Sequence, residues 1–323
     1  MGGTAWSDAY YRSRAAHLRA TGRSAFGYDE DIRAGKAAAR VHEKMDPKGI
    51  KNGCRESRDS DVHPTSNAVA VLFDVTGSMH AVPRMLQKNL CTLMGLCLRR
   101  GYLEDPAILV GAIGDATCDR APLQVGQFES GNEIEGDLNR LFLEGGGGGQ
   151  QTESYELAFY FLARKAAMDC QEKRGKKGYA FLIGDEMPYP RVKRREVKRV
   201  FGHRLQADIP LRDIVEEAKQ KFEIYFILPN LTSYYDDPRV FECWRSLLGQ
   251  NAMKLEDPAG ISELIASTIG LAEDSVVLSD LAIELNAAGT DMAVAKSVST
   301  ALANVPTGTA VDLSEEGTGL ARF

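Results

Sequence analysis

The expected fold class is α/β: a doubly wound, mostly parallel sheet with one antiparallel edge strand, preceded by an N-terminal extension and followed by a C-terminal helical tail. Three observations predict it. Short apolar runs rich in Val, Ile and Phe alternate along the chain with amphipathic stretches of helical period, the order of a parallel sheet covered by helices. One adjacent pair of runs is joined by a link too short for a crossover, which requires an antiparallel neighbour. Acids and hydroxyls gather where the apolar runs end, at the edge of an open sheet where ligands bind.

The elements follow in order. Residues 1–66 are polar, rich in Arg, Gly and Ser, and lack sustained periodicity; a short helix is expected over 34–45. Val69 to Phe73 is a continuous β-branched and aromatic run, as in a strand covered on both faces. Behind it Val82, Met85, Leu86, Leu90, Leu93, Met94 and Cys97 recur at helical steps up to Gly101. AILVGAI (107–113) is a second buried strand, and PLQVGQF (122–128) is its antiparallel neighbour. A helix follows from Asn132. Five glycines, 145–149, then lead into a mostly apolar stretch, 150–169, read as one long helix. YAFLIG (179–184), FEIYFIL (222–228) and a short run at 252–255 complete the strands, with helices near 211–221, 238–248 and 259–272. The tail holds one helical stretch, 276–302. Composition divides the chain at 1–66, 67–272 and 273–323.

Composition excludes several classes. The net charge of −6 is concentrated at the end, since residues 273–323 carry 8 acids against 2 bases. Global charge therefore makes no case for nucleic acid. No stretch approaches the roughly 18 consecutive apolar residues of a membrane span. The N-terminal arginines have no apolar core behind them, unlike a secretory signal, and Trp6 stands where a myristoylation site prefers Ser or Thr. The six cysteines (54, 91, 97, 118, 170, 243) form no Cys-x-x-Cys pair. A cytoplasmic location is expected.

Asp74 closes the first buried strand, and Thr76 and Ser78 occupy the turn behind it. Together they offer hard oxygens suited to magnesium, which keeps several waters and needs few protein ligands. Asp74-Val75-Thr76-Gly77-Ser78 resembles the Asp-x-Ser/Thr-x-Ser motif of von Willebrand factor type A domains, where it forms the metal-ion-dependent adhesion site. That family has the doubly wound sheet with one antiparallel edge strand. The resemblance covers about residues 67–272. It implies a further Thr from a glycine-bearing loop, matched by Thr152, and an Asp after a later strand, matched by Asp185. Two departures leave alternatives open. Glu153 follows Thr152, so either residue can supply the ligand, and Glu186 stands beside Asp185 as a competing carboxylate. The resemblance implies a bound Mg²⁺, with Mn²⁺ or Ca²⁺ as substitutes, and a protein partner donating Glu or Asp to it. It also implies a stand-alone intracellular protein of bacteria or phages, not an enzyme, working with a ring-forming ATPase of the MoxR type.

Taken alone, Asp-x-Thr-x-Ser is a common capping and turn pattern; its place between a buried strand and an amphipathic helix is what singles it out. A haloacid dehalogenase-like phosphatase is the competing reading, because Gly114-Asp115 to Asp119 matches that family's Gly-Asp-x-x-x-Asp pattern. Only 41 residues separate Asp74 from Asp115, too few for the intervening motifs, and Ser78 and Thr152 would have no role. A structural or assembly protein with a metal-stabilised loop cluster is the third reading. The pentaglycine lacks the Gly-Lys-Ser/Thr of a phosphate-binding loop, and His80 is read as a surface residue. The basic run from Arg191 to Arg204 is either a solvated helix face or a surface that steers an acidic partner.

Overall fold

The computed structural model describes residues 5–50, 53–79, 81–146, 149 and 151–305. Six strands form the central sheet: β1 (Asn67–Asp74), β2 (Pro106–Ile113), β3 (Leu123–Val125), β4 (Gly178–Ile183), β5 (Phe222–Pro229) and β6 (Ala252–Leu255). Their order is β6-β5-β4-β1-β2-β3, and every pairing is parallel except β2 with β3. The chain thus folds as the doubly wound α/β sheet with an antiparallel edge. Every residue of β1 is buried, as a continuous apolar run between two helical layers requires. From β1 the chain builds outward through β2 and β3, then crosses to the other side for β4, β5 and β6. The order reverses between β1 and β4, where an open sheet leaves a crevice beyond its carboxyl ends.

The helices depart from expectation in four places. The N-terminal extension contributes α1 (Asp8–Thr21) and α2 (Gly27–Arg33), whereas 34–45 forms turns and not a helix. The single helix expected behind β1 is two, α3 (Val82–Lys88) and α4 (Leu90–Arg99), because Asn89 leaves the helical region with ψ 13°. After α5 (Ile134–Asn139), the long helix expected over 150–169 is also divided. Its parts are α6 (Tyr155–Arg164), a short strand Ala166–Met168 paired parallel with Arg55–Ser57, and the start of α7 (Asp169–Arg174). An unbroken apolar run suits a buried strand as well as a helix, so periodicity alone does not separate them. Next come α8 (Arg194–Phe201), α9 (Leu211–Lys219), α10 (Pro238–Leu248) and α11 (Ile261–Ala272). The stretch 276–302 divides into α12 (Leu281–Ala287) and α13 (Met292–Leu302) around Gly289, whose φ of +102° suits only glycine.

Alternation along the strands feeds two cores. Val69, Val71 and Phe73 pack with α4 and α11, and the same core takes in Tyr11, Phe26 and Met45 from the N-terminal segment and Leu281, Leu285, Val298 and Leu302 from the last two helices. Ala68, Ala70 and Leu72 face the opposite core with Leu157, Phe161, Val197, Ile214 and Trp244. The outer edge of β3 is closed by the N-terminal segment: Val125 N donates to Met45 O at 2.9 Å, and Arg55 Nη2 donates to Val125 O at 2.9 Å. Among the described residues no helix is long and apolar enough to cross a membrane.

Candidate metal centre

The register of the sheet brings the two aspartates together. Phe73 pairs with Ile183, so Asp74 emerges beside Gly184 and Asp185 at the point where the strand order reverses. Both carboxylates are fully buried. Thr76 N donates to Asp74 Oδ1 at 2.7 Å, and the Thr76 hydroxyl bonds the same carboxylate. The other oxygen, Oδ2, accepts from the Tyr155 hydroxyl at 3.0 Å. Tyr155 reaches it only because residue 184 is glycine: a Cβ there would stand 1.8 Å from the Tyr155 hydroxyl. Asp185 Oδ2 accepts from Tyr234 N at 3.3 Å, which ties the loop after β5 to the same centre. Ser78 lies in a short 3-10 turn, Gly77–Met79, behind Asp74. Its side chain and residue His80 lie outside the described part of the molecule.

The glycine loop packs directly on this turn. Gly145 N donates to Val75 O at 3.1 Å and Gly77 N donates to Gly146 O at 3.0 Å. Beyond it, Thr152 and Glu153 form a two-residue parallel ladder with Met187 and Pro188. Successive strand side chains point to opposite faces. Glu153 is buried, 1% exposed, while Thr152 is only partly so. The loop and the β4 end therefore lie beside the Asp74 turn, and the buried side chain of the two-residue strand is that of Glu153.

Asp74, Glu153, Asp185 and Glu186 are all buried at this end of the sheet. Burial pushes the Asp74 carboxyl up to about 7, with the charge of Asp185 adding to it. Glu186 is raised to about 8 by burial and then by Asp74 and Asp185, and Glu153 is raised strongly by burial and then by Asp74. Among the described residues, Glu153 Oε2 and Glu186 Oε2 have no hydrogen-bond partner. Uncompensated buried carboxylates cost several kcal/mol each, which either a proton or a bound cation relieves. The donor set is oxygen only, which suits Mg²⁺, Mn²⁺ or Ca²⁺. Among the described residues no three of His, Cys, Asp and Glu make a metal cage by themselves.

Other predicted residues lie nearby in different roles. Asp119 Oδ2 accepts from Asp115 N at 2.8 Å, and Asp115 accepts from Thr117 N at 2.6 Å and from the Tyr189 hydroxyl at 3.0 Å. Both acids thus stitch the β2–β3 loop together. The basic run forms α8, with Arg194, Arg195, Lys198 and Arg199 exposed and Val197, Val200 and Phe201 buried. Arg199 Nη2 donates to Asp119 O at 3.3 Å, which sets this helix beside the acidic loop. Tyr155 and Tyr234 have no sequence signal as site residues; Tyr155 is one aromatic among several in YELAFYF. A cleft of about 1560 Å³ opens elsewhere, lined by Arg14, Arg55, Gln127, Glu135 and Asp137.

No family model and no curated protein sequence matches the chain. Several solved structures share its architecture. The pilus adhesin SpaC of Lactobacillus rhamnosus GG, in an open conformation, is 11% identical with a TM-score of 0.45, covering 68% of this chain and 31% of that one. A von Willebrand factor type A protein from Catenulispora acidiphila is 15% identical with a TM-score of 0.38, covering 64% and 42%. Proximal thread matrix protein 1 of the mussel byssus is 10% identical with a TM-score of 0.40, covering 64% and 46%. The chain therefore spans less than half the length of each. At such identities and TM-scores the likeness concerns the arrangement of strands and helices, and carries no argument about ligands or partners.

Proposed function

We propose that the chain is a metal-dependent protein-interaction module of the von Willebrand factor type A kind, not an enzyme. The observation that carries this reading is the meeting of Asp74, Thr76 and Asp185 at the strand-order reversal, beside buried carboxylate oxygens that lack partners. Asp74, Thr76 and Ser78 hold a divalent cation, Mg²⁺ first, with Asp185 and the Thr152–Glu153 ladder completing the site. The bound ion supplies an open coordination position for a Glu or Asp of the partner. Tyr155 and Thr76 orient Asp74, and the backbone at Tyr234 orients Asp185. The exposed bases of α8 attract an acidic partner toward this end of the sheet. A ring-forming ATPase of the MoxR type is the partner to seek first, and a cytoplasmic setting follows from it.

The phosphatase reading has less support. Both Asp74 oxygens accept hydrogen bonds, which hold the carboxylate in place, and Asp115 and Asp119 serve their own loop. Isothermal calorimetry with Mg²⁺ and Mn²⁺ tests the proposal. Wild type should bind one ion and Asp74→Ala none, with unchanged circular dichroism. Equal binding by the two proteins overturns it. Hydrolysis of a generic phosphoester by wild type, lost in the variant, makes the phosphatase reading the better one.

A further inference from the structure

We propose that Glu153, and not Thr152, is the ligand that the glycine loop brings to the cation. The inference rests on the metal site proposed above and changes one residue of it. A two-residue strand must choose which side chain faces inward. The pairing of Thr152 with Met187 and of Glu153 with Pro188 fixes the strand, and successive side chains leave it on opposite faces. Glu153 takes the inner face at 1% exposure, and its Oε2 is left without a hydrogen-bond donor. The charges of Asp74 and Glu186 act directly on it. Neighbouring contacts lock this orientation. Met187 N donates to Gln151 O at 3.1 Å on one side, and on the other the Ser154 hydroxyl accepts from Ala116 N at 2.8 Å.

The substitution of a carboxylate for a hydroxyl alters what the site prefers. A Thr hydroxyl is neutral and gives one oxygen. A glutamate adds a charge and can offer both oxygens, which the flexible coordination of Ca²⁺ accepts more readily than the octahedron of Mg²⁺. Glu153 should therefore tighten binding of every divalent ion and favour Ca²⁺ in particular.

Calorimetric titration of the full chain with Ca²⁺ and with Mg²⁺, at one pH, tests this with Glu153→Gln, Thr152→Ala and Asp74→Ala. Glutamine keeps the shape of the side chain while removing its charge and one acceptor oxygen, and circular dichroism checks the fold. Glu153→Gln should weaken Ca²⁺ binding by at least the roughly 10- to 100-fold that loss of an outer-shell partner costs. It should weaken Mg²⁺ binding less, and Thr152→Ala should leave both affinities at the wild-type value. Mn²⁺ electron paramagnetic resonance should also show added water on the ion in Glu153→Gln. Weakened binding in Thr152→Ala with wild-type affinity in Glu153→Gln overturns the assignment while the metal site stands. Equal loss of Ca²⁺ and Mg²⁺ affinity, with no added water on Mn²⁺, makes Glu153 a nearby charge and also overturns it. Wild-type affinity in Asp74→Ala overturns the metal site itself.

Discussion

Asp74 accepts from Thr76 N on Oδ1, from the Tyr155 hydroxyl on Oδ2 and from the Thr76 hydroxyl, and still sits with its pKa pushed up to about 7 by burial. An acid whose folded pKa is raised contributes stability below its unfolded pKa, near 4, and loses it as the pH climbs through the folded value. With Glu186 raised to about 8, the metal-free protein should lose thermal stability between about pH 4 and 8. Metal binding needs the deprotonated carboxylates, so added Mg²⁺ should raise the melting temperature more at pH 8 than at pH 5. Scanning fluorimetry with Mg²⁺ or chelator across that range measures it; a pH-independent effect of Mg²⁺ would contradict the buried-acid account. Tyr155→Phe leaves Asp74 Oδ2 without its donor and should cost about 1–3 kcal/mol in chelator, and less with Mg²⁺ present. Denaturant melts in both conditions check this. At this scale Asp74, Thr76 and Asp185 are legible in the sequence because each follows a strand that announces itself. The choice between Thr152 and Glu153 is not, because a two-residue ladder has no period to read. Tyr155 is hidden for another reason: its contact depends on the missing side chain of Gly184, 29 residues away in the chain.

Among the elements, α8 is the one whose sequence pattern leaves its role open. Its apolar residues Val197, Val200 and Phe201 enter the core, and its bases Arg194, Arg195 and Lys198 remain in solvent. Reversing those three to Glu should leave the fold and the metal affinity unchanged. Toward an acidic partner recovered by affinity purification it should slow association and flatten its salt dependence, with a smaller change in dissociation. Surface plasmon resonance at several salt concentrations reads both rates, and wild-type association at every concentration would reduce α8 to a solvated face. The sheet was the easier part to read. β1, β2, β4 and β5 are buried on both sides, so each appears as an uninterrupted apolar run. α6 and the strand after it merge into one such run, and only the pairing of Ala166–Met168 with Arg55–Ser57, more than a hundred residues earlier, separates them. α1 escapes notice because Tyr11 is its only buried residue.

At the scale of the molecule, both ends of the chain belong to the packing. Leu281, Leu285, Val298 and Leu302 are fully buried against the core that covers one face of the sheet. At about 1.5–3 kcal/mol for each large apolar side chain, their removal costs roughly 6–12 kcal/mol, comparable with the whole stability of a domain, about 5–15 kcal/mol. A chain ending at residue 272 should therefore fail to give the cooperative melt of the full chain; calorimetric scans compare them. The N-terminal segment matters in a different currency. By occupying the outer hydrogen-bonding groups of Val125 through Met45 and Arg55, it acts as a guard against self-templating, because an open strand edge recruits any extended chain it meets. The hazard of losing residues 1–55 is therefore colloidal: the exposed β3 edge becomes a seed on which further copies stack, and light scattering would register this before enzymology or binding assays noticed anything amiss.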